Sequence, residues 1–121
     1  VSCVIKFLFM IKEYVMSEIV EYNENNYREF EYETGVAVIR FYATWCTPCV
    51  QNAPFFEQLA QLFDASVKFG KVNVDQSPIL TLRYQVFGLP TTLIFKDGQI
   101  VERLSGNVSV VQLQQKIQSY L

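Results

Sequence analysis

The sequence predicts an α/β fold, with a central mixed five-stranded sheet flanked by helices on both faces. Strand and helix patterns alternate along the chain in the order β-α-β-α-β-α-β-β-α. A helix between two strands favours parallel pairing through a right-handed crossover, whereas the closing hairpin adds antiparallel strands. The chain has 121 residues and is 50% apolar, which is enough for one core and too little for a second domain.

The first half of the chain predicts two strands, a short helix and a long helix. A strand is expected over 18–22, and a short helix within the polar stretch 23–34. The run VAVIRFYA at 36–43 is β-branched and aromatic, as in a central strand covered on both faces. Apolar residues recur at helical spacing over 49–64, so we expect an amphipathic helix there with a kink at Pro54.

The second half predicts one strand, one short helix, a hairpin and a final helix. Ser77 followed by Pro78 is typical of an N-cap and a first helical residue. Asp97-Gly98 is the strongest hairpin signal in the chain, and Ser109 with Gln112 forms a capping box. The strand is expected over 66–74 and the short helix over 77–84. The hairpin strands are expected over 91–96 and 99–104, and the final helix over 109–121.

The composition excludes several classes of function. The net charge is −2 and the pI is about 5.1, without a cluster of Lys and Arg, so the basic surface of a nucleic-acid-binding protein is missing. The chain contains no histidine, which excludes a histidine base and a histidine metal ligand. The three cysteines, Cys3, Cys46 and Cys49, are too few for a disulfide-stapled scaffold.

Residues 1–15 differ from the rest, and we assign them to an N-terminal apolar extension ahead of a domain over 16–121. The apolar stretch 3–11 is shorter than the about 20 residues that span a bilayer, and it lacks the basic start and cleavage site of a signal peptide. We favour an incidental or upstream-read extension. The alternatives are a degenerate export or membrane-anchor segment and an additional packed element.

The segment ATWCTPCV at 43–50 places Cys46 and Cys49 two residues apart, between a predicted strand and a predicted helix. Such a pair can bind zinc, form a structural disulfide or exchange electrons. A structural zinc site needs about four Cys or His ligands, more than this chain offers. We therefore expect no metal here.

Several motifs in register resemble the thioredoxin family, over about residues 17–121. WCTPC at 45–49 resembles the Trp-Cys-x-Pro-Cys motif of that family, and GLPTT at 88–92 resembles its cis-proline segment. A C-x-x-C pair alone is weak evidence, but one between a strand and a helix with a later proline turn is strong. The resemblance implies the thioredoxin fold. Three further matches are KVNVDQ at 71–76, FKDG at 95–98 and Gly106.

The resemblance implies a redox pair, with Cys46 as nucleophile and Cys49 as resolving cysteine. At a helix start, unpaired N–H groups and the macrodipole stabilise a thiolate, and the thiol pKa falls to about 7 in motifs of this type. Pro48 fixes the backbone, while Thr47 replaces the more usual glycine. This neutral spacer predicts a reductant near about −270 mV, far from the strongest oxidants near about −120 mV. The alternative is a buried, inert pair of cysteines. Trp45 and Pro48 speak against it, because they indicate an exposed loop.

Pro90 is the second candidate of the site. A cis bond at Leu89-Pro90 would present the backbone of Leu89 to an incoming peptide as a short strand edge. The alternative for Pro90 is an ordinary trans proline in a turn. The alternative for Trp45 is a side chain that only fills the core. The expected apolar rim for substrate consists of Trp45, Val74, Gly88, Leu89, Pro90, Gly106 and Asn107.

One residue departs from the family pattern. Thioredoxins usually carry a buried Asp that relays a proton to the inner cysteine, and this chain has Arg40 there, while the matching Lys71 is present. We expect Arg40 to lean out toward solvent, because burial of an unpaired Arg is costly, so that Glu57 or a water takes the proton. The alternative is that its charge lies near Cys49 and stabilises the thiolate.

The resemblance implies a small cytoplasmic, monomeric protein-disulfide reductase. It would hold no bound cofactor, take electrons from NADPH through a flavin-dependent thioredoxin reductase, and pass them to disulfide-containing client proteins. We expect no nucleic-acid partner and no membrane association. The alternatives are an exported or membrane-tethered reductant, if residues 1–15 are a targeting segment, and a non-catalytic binding or processivity subunit.

Overall fold

The computed structural model describes residues 17–121, and this part contains five strands and four helices in the predicted order. The predicted fold class is confirmed. The strands are β1 (Ile19–Tyr22), β2 (Val36–Tyr42), β3 (Lys68–Asn73), β4 (Thr91–Lys96) and β5 (Gln99–Ser105). The helices are α1 (Arg28–Glu31), α2 (Thr47–Gln61), α3 (Pro78–Arg83) and α4 (Val110–Gln118). The N-terminal extension predicted over 1–15 lies outside the described residues.

The five strands form one mixed sheet in the order β1-β3-β2-β4-β5. Strand β3 pairs in parallel with both β1 and β2, because a helical crossover separates the consecutive strands. Strand β4 pairs antiparallel with β2 and with β5. The central strand β2 is therefore covered on both sides by neighbours, and its C-terminal end leads directly to the cysteine pair.

Side chains of β2 alternate between two cores. Ile39 and Phe41 pack in a core with residues of α1 and α3. Val36 and Val38 pack on the opposite face, in a core with α2 and α4. Arg40 follows the same alternation as Val36 and Val38, so its side chain starts beneath α2.

The hairpin at Asp97-Gly98 is present as predicted, with both residues at positive φ, 51° and 80°. A Cβ on Gly98 would lie 2.2 Å from the carbonyl oxygen of Glu31, so this turn also needs glycine for the close approach to α1. The Asp97 carboxylate accepts the N–H of Gly35 at 2.7 Å. The turn therefore ties the β4–β5 hairpin to the start of β2.

Helix α1 lies within the polar stretch 23–34, as predicted, and occupies only four of its residues. The Asn26 side chain accepts the N–H of Asn23 at 2.7 Å, and the Asn23 side chain accepts the N–H of Asn25 at 2.8 Å. These local bonds compete with helical hydrogen bonds and hold the stretch before α1 in turns. In the part of the chain that the structure describes, no helix has the length and hydropathy to cross a membrane.

Candidate active site

Cys46 lies at the junction between β2 and α2. It is the N-cap of α2, with extended backbone angles of φ −84° and ψ 105°, and its Sγ accepts the N–H of Cys49 at 3.3 Å. Pro48 occupies the first turn, where its missing N–H leaves no bond unmade. The sulfur of Cys46 therefore sits against the positive end of a 15-residue helix.

Cys46 and Cys49 form a disulfide, with their Cα atoms 5.2 Å apart. Their exposure differs: Cys46 is 6% exposed and lines a surface groove, whereas Cys49 is 1% exposed. Both pack with Ala43, and the half-buried Val74 and Leu89 cover this small cluster. An incoming nucleophile or disulfide therefore reaches Cys46 first.

The groove beside Cys46 has a volume of about 500 Å³ and apolar walls. Trp45 is 69% exposed at its edge, and its Nε1 donates to the Asp75 carboxylate at 2.7 Å. The alternative that Trp45 fills the core is therefore wrong. The other predicted residues along the groove are Thr47, Pro48, Val74, Gly88 and Leu89.

The Leu89–Pro90 peptide bond is cis, and Pro90 is buried. The Pro90 carbonyl accepts the N–H of Gly106 at 2.8 Å, which attaches the end of β5 to this turn. Gly106 thus supports the proline segment, but neither Gly106 nor Asn107 is among the residues that line the groove. The structure does not place these two in the rim where the sequence predicted them.

The sequence analysis missed three residues that line the groove, Thr81, Val86 and Phe87, and also Asp75 beside it. Phe87 lines the groove and is 88% exposed, and Asp75 holds the indole of Trp45. Phe87 directly precedes the predicted proline turn, which was a usable signal for proximity to the site. Nothing in the sequence distinguishes an exposed phenylalanine from a core one, since both are simply apolar.

The expectation that Arg40 leans out toward solvent is wrong. Arg40 is 4% exposed, and its Nη2 donates to the carbonyl oxygen of Cys49 at 2.6 Å. The guanidinium carbon lies 5.9 Å from the ring centroid of Phe56. Burial lowers the pKa of Arg40, but arginine keeps its proton in protein interiors. The hydrogen bond to the carbonyl and the contact with the ring offset part of the cost of desolvating the guanidinium.

A second cavity, of about 230 Å³, lies behind the disulfide between the sheet and α2. Its lining includes Arg40, Cys49, Glu57 and Lys71, so Glu57 shares a cavity with the inner cysteine. Lys71 lies beside Arg40 in the β2–β3 register, and its Nζ is 3.8 Å from the Glu21 carboxylate. Among residues 17–121 there is no cluster of three or more side chains suited to a metal ion.

Tyr42 closes the same cavity at the end of β2. Its hydroxyl donates to Glu21 at 2.9 Å, and the ammonium of Lys71 lies 5.6 Å from its ring centroid. Burial, reinforced by the hydrogen bond to Glu21, raises the pKa of Tyr42 to about 12. Tyr42 therefore stays neutral at physiological pH and contributes no charge next to the cysteines.

Comparisons with known proteins agree with this geometry. The family model described as Thioredoxin matches residues 18–119. Thioredoxin of Staphylococcus aureus is 40% identical over 74 residues, which cover 61% of this chain and 71% of that protein. Thioredoxin of Staphylococcus haemolyticus is 36% identical over 88 residues, which cover 73% of this chain and 84% of that protein.

Solved structures show the same likeness. A single-site mutant of thioredoxin from Halobacterium salinarum aligns with a TM-score of 0.79 at 30% identity, over 88% of this chain and 93% of that chain. Thioredoxin of Malassezia sympodialis aligns with a TM-score of 0.76 at 28% identity, over 86% of this chain and 91% of that chain.

Proposed function

The chain belongs to the thioredoxin family and is a thiol-disulfide oxidoreductase, and we propose that it reduces client proteins as a cytoplasmic monomer supplied by a reductase. The observation that carries this proposal is the position of Cys46, which caps α2 and borders an apolar groove. A helix N-terminus stabilises the thiolate that disulfide exchange requires. The groove provides a place for the polypeptide around a client disulfide.

In the proposed cycle, the Cys46 thiolate attacks one sulfur of a client disulfide and forms a mixed disulfide. The other client sulfur leaves as a thiolate and takes a proton from water. Cys49, one helical turn inward, then loses its proton and attacks Cys46 as a thiolate. The second client sulfur leaves with the electron pair and takes up a proton. Two electrons pass from the dithiol to the client, and the Cys46–Cys49 disulfide seen in the structure is the oxidised product.

The electrons that restore the dithiol would come from NADPH through a flavin-dependent thioredoxin reductase, and the chain itself would hold no cofactor. The family membership supports redox partners of this kind. A cytoplasmic location fits a reductant, because that compartment keeps thiols reduced. Client recognition would be broad, since the groove offers apolar walls and few polar groups.

The proposal is tested by following insulin-disulfide reduction with NADPH and a thioredoxin reductase. We expect the wild type to turn over, Cys46→Ser to lose the activity entirely, and Cys49→Ser to accumulate a mixed disulfide that mass spectrometry detects. Turnover that survives in Cys46→Ser would indicate a binding role instead. A wild type that is reduced by glutathione but not by the reductase would contradict the proposed electron source.

A further inference from the structure

Arg40 places a permanent positive charge beneath the inner half of the redox pair. Its guanidinium donates to the carbonyl oxygen of Cys49 at 2.6 Å, and only 4% of the residue is exposed. Since the carbonyl oxygen and Sγ belong to one residue, the charge lies within about 8 Å of the sulfur. Among residues 17–121, no carboxylate forms an ion pair with Arg40. The charge is therefore not neutralised by a direct partner.

The other titratable groups around Cys49 are exposed, paired or neutral. Glu57 of α2 borders the shared cavity but is exposed to solvent. Lys71 of β3 lies 3.8 Å from Glu21 of β1, so these two largely cancel. Tyr42 of β2 stays neutral below pH 10 because its pKa is raised. Arg40 is therefore the dominant buried charge facing the inner cysteine from these elements.

We propose that the charge of Arg40 stabilises the thiolate of Cys49 in the reduced protein, so that Cys49 loses its proton to water without a buried carboxylate as base. This inference rests on the proposed function and assigns Arg40 a positioning role, because Arg40 acts through Cys49 and contacts no client atom. An arginine cannot accept a proton, so it assists deprotonation only by favouring the charged product.

The step balances without a further reactant. The thiol of Cys49 releases a proton to water in the cavity, and the resulting thiolate attacks the Cys46 sulfur of the mixed disulfide. The Cys46–Cys49 bond forms, the bond from Cys46 to the client breaks, and the client sulfur leaves with the electron pair. That client thiolate then takes a proton from water.

The inference has a pH signature. A cation stabilises the thiolate and leaves the neutral thiol and the neutral disulfide almost unaffected. Its effect on the reduction potential is therefore absent below the thiol pKa values and grows as the cysteines ionise. At the distance given above, the charge should lower the Cys49 titration midpoint by about one to two pH units. A role limited to packing would shift the potential equally at every pH.

The experiment titrates Cys49 in the reduced full chain by its Cβ chemical shift, which separates it from Cys3 and Cys46. We compare the wild type with Arg40→Met and Arg40→Gln, which remove the charge, and with Arg40→Lys, which keeps it. Lys68→Met is the matched control, since it removes one cation at the start of β3, away from the cysteines. Reduction potentials are measured in parallel against glutathione at several pH values.

We expect the Cys49 midpoint to rise by about one to two pH units in Arg40→Met and Arg40→Gln, and to stay near the wild-type value in Arg40→Lys and Lys68→Met. For each pH unit by which the Cys49 midpoint rises, the variants without the charge become tenfold more reducing above the thiol pKa values. This corresponds to about 30 mV for a two-electron couple. Equal midpoints, or a potential difference that does not change with pH, would overturn the inference.

Should neither neutral variant fold, Cys46→Ser decides the question, because its Cys49 titrates without a neighbouring thiolate. The inference requires the charge to outweigh the burial of Cys49, which alone would raise the midpoint. We then expect a midpoint below the ordinary cysteine value of about 8.5, and a midpoint at or above it would overturn the inference. These measurements need no reductase and no client. A failure here therefore leaves insulin reduction as an independent result.

Discussion

Phe87 combines the highest exposure among the large apolar side chains of residues 17–121 with a position at the groove beside Cys46. It is 88% exposed, whereas the other aromatic at the groove, Trp45, is held by a hydrogen bond to Asp75. An apolar ring left in water gains free energy when a partner covers it. The position of Phe87 makes a client polypeptide the natural partner.

We predict that Phe87→Ser lowers kcat/KM for insulin reduction about three- to tenfold, corresponding to about 1 kcal/mol of lost contact, with the fold stability unchanged. The matched control is Val111→Ser on α4, which removes another exposed apolar side chain, 61% exposed, away from the groove. Steady-state kinetics and thermal unfolding of both variants check the prediction. An equal loss in both variants would contradict it.

Sequence reasoning located the residues that carry motifs and failed where orientation matters. Cys46 and Cys49 form the disulfide that the WCTPC motif predicted, and the Leu89–Pro90 bond is cis as the resemblance of GLPTT implied. Arg40 was misplaced because the cost of burial was weighed without the alternation of β2. The run VAVIRFYA already predicted a strand covered on both faces, so a residue at position 40 would be buried on either face, and that signal was present in the sequence.

At the scale of secondary-structure elements, the β4–β5 turn lies against α1 more closely than any Cβ would allow. Gly98 has φ +80°, and a Cβ there would lie 2.2 Å from the carbonyl oxygen of Glu31. Gly106 has a similar φ of +76°, but a Cβ there would meet nothing within 4 Å. The two glycines therefore separate the cost of the backbone conformation from the cost of the close contact.

We predict that Gly106→Ala costs about 1 kcal/mol of unfolding free energy, the cost of a left-handed backbone for a residue with a Cβ. Gly98→Ala should cost about 2–4 kcal/mol, because α1 must also move away from the turn. Urea denaturation of both variants measures the difference. Equal losses would show that α1 yields freely, contrary to the prediction.

The elements themselves were predictable, but their ends were less so. The hairpin and the cap at Ser109 follow from turn and cap chemistry that acts over a few residues. Ser77 occupies the predicted N-cap position of α3, but its side chain makes no capping hydrogen bond. The Ser109 hydroxyl does accept the N–H of Gln112, at 3.2 Å. The start of α2 was predicted too late, because Cys46 is an unusual N-cap. The exact bounds of α1 within the stretch 23–34 were not predicted, because side-chain bonds of asparagine replace helical ones ahead of it.

At the scale of the whole molecule, burial of several tyrosines connects stability to alkaline pH. Burial is the main cause that raises the pKa of Tyr22, Tyr42 and Tyr84. For Tyr42 the value rises from 10 to about 12. Since the native state holds this proton more tightly than the unfolded chain, its contribution is complete below pH 10 and is lost as the pH rises toward 12.

We predict that the free energy of unfolding falls between pH 10 and about 12, and that Tyr42→Phe falls less steeply over this range. At neutral pH the variant should be less stable by about 1 kcal/mol, because the hydrogen bond to Glu21 is lost. Urea titrations of the oxidised protein at several pH values measure both effects. Tyr32→Phe is the control, at a side chain that is 67% exposed, and an equal change of slope in that variant would contradict the assignment to Tyr42.

The topology could be predicted because alternating strands and helices leave few ways to connect a parallel sheet. The details of close packing could not. Gly70, for example, looks like a weak point in a central strand, yet a Cβ there would lie 2.3 Å from the ring of Tyr22. That contact joins residues far apart in sequence, and no local pattern reports it.

Ser17, the first described residue, is fastened far from the cysteines. Its N–H donates to the carbonyl of Phe63 at 3.0 Å, just beyond the C-terminal end of α2, whereas Cys46 caps the opposite end. A helix of 15 residues is about 22 Å long, so Ser17 lies at the end of α2 opposite the disulfide. A chain immobilised on an electrode through that side would present its disulfide to the solution.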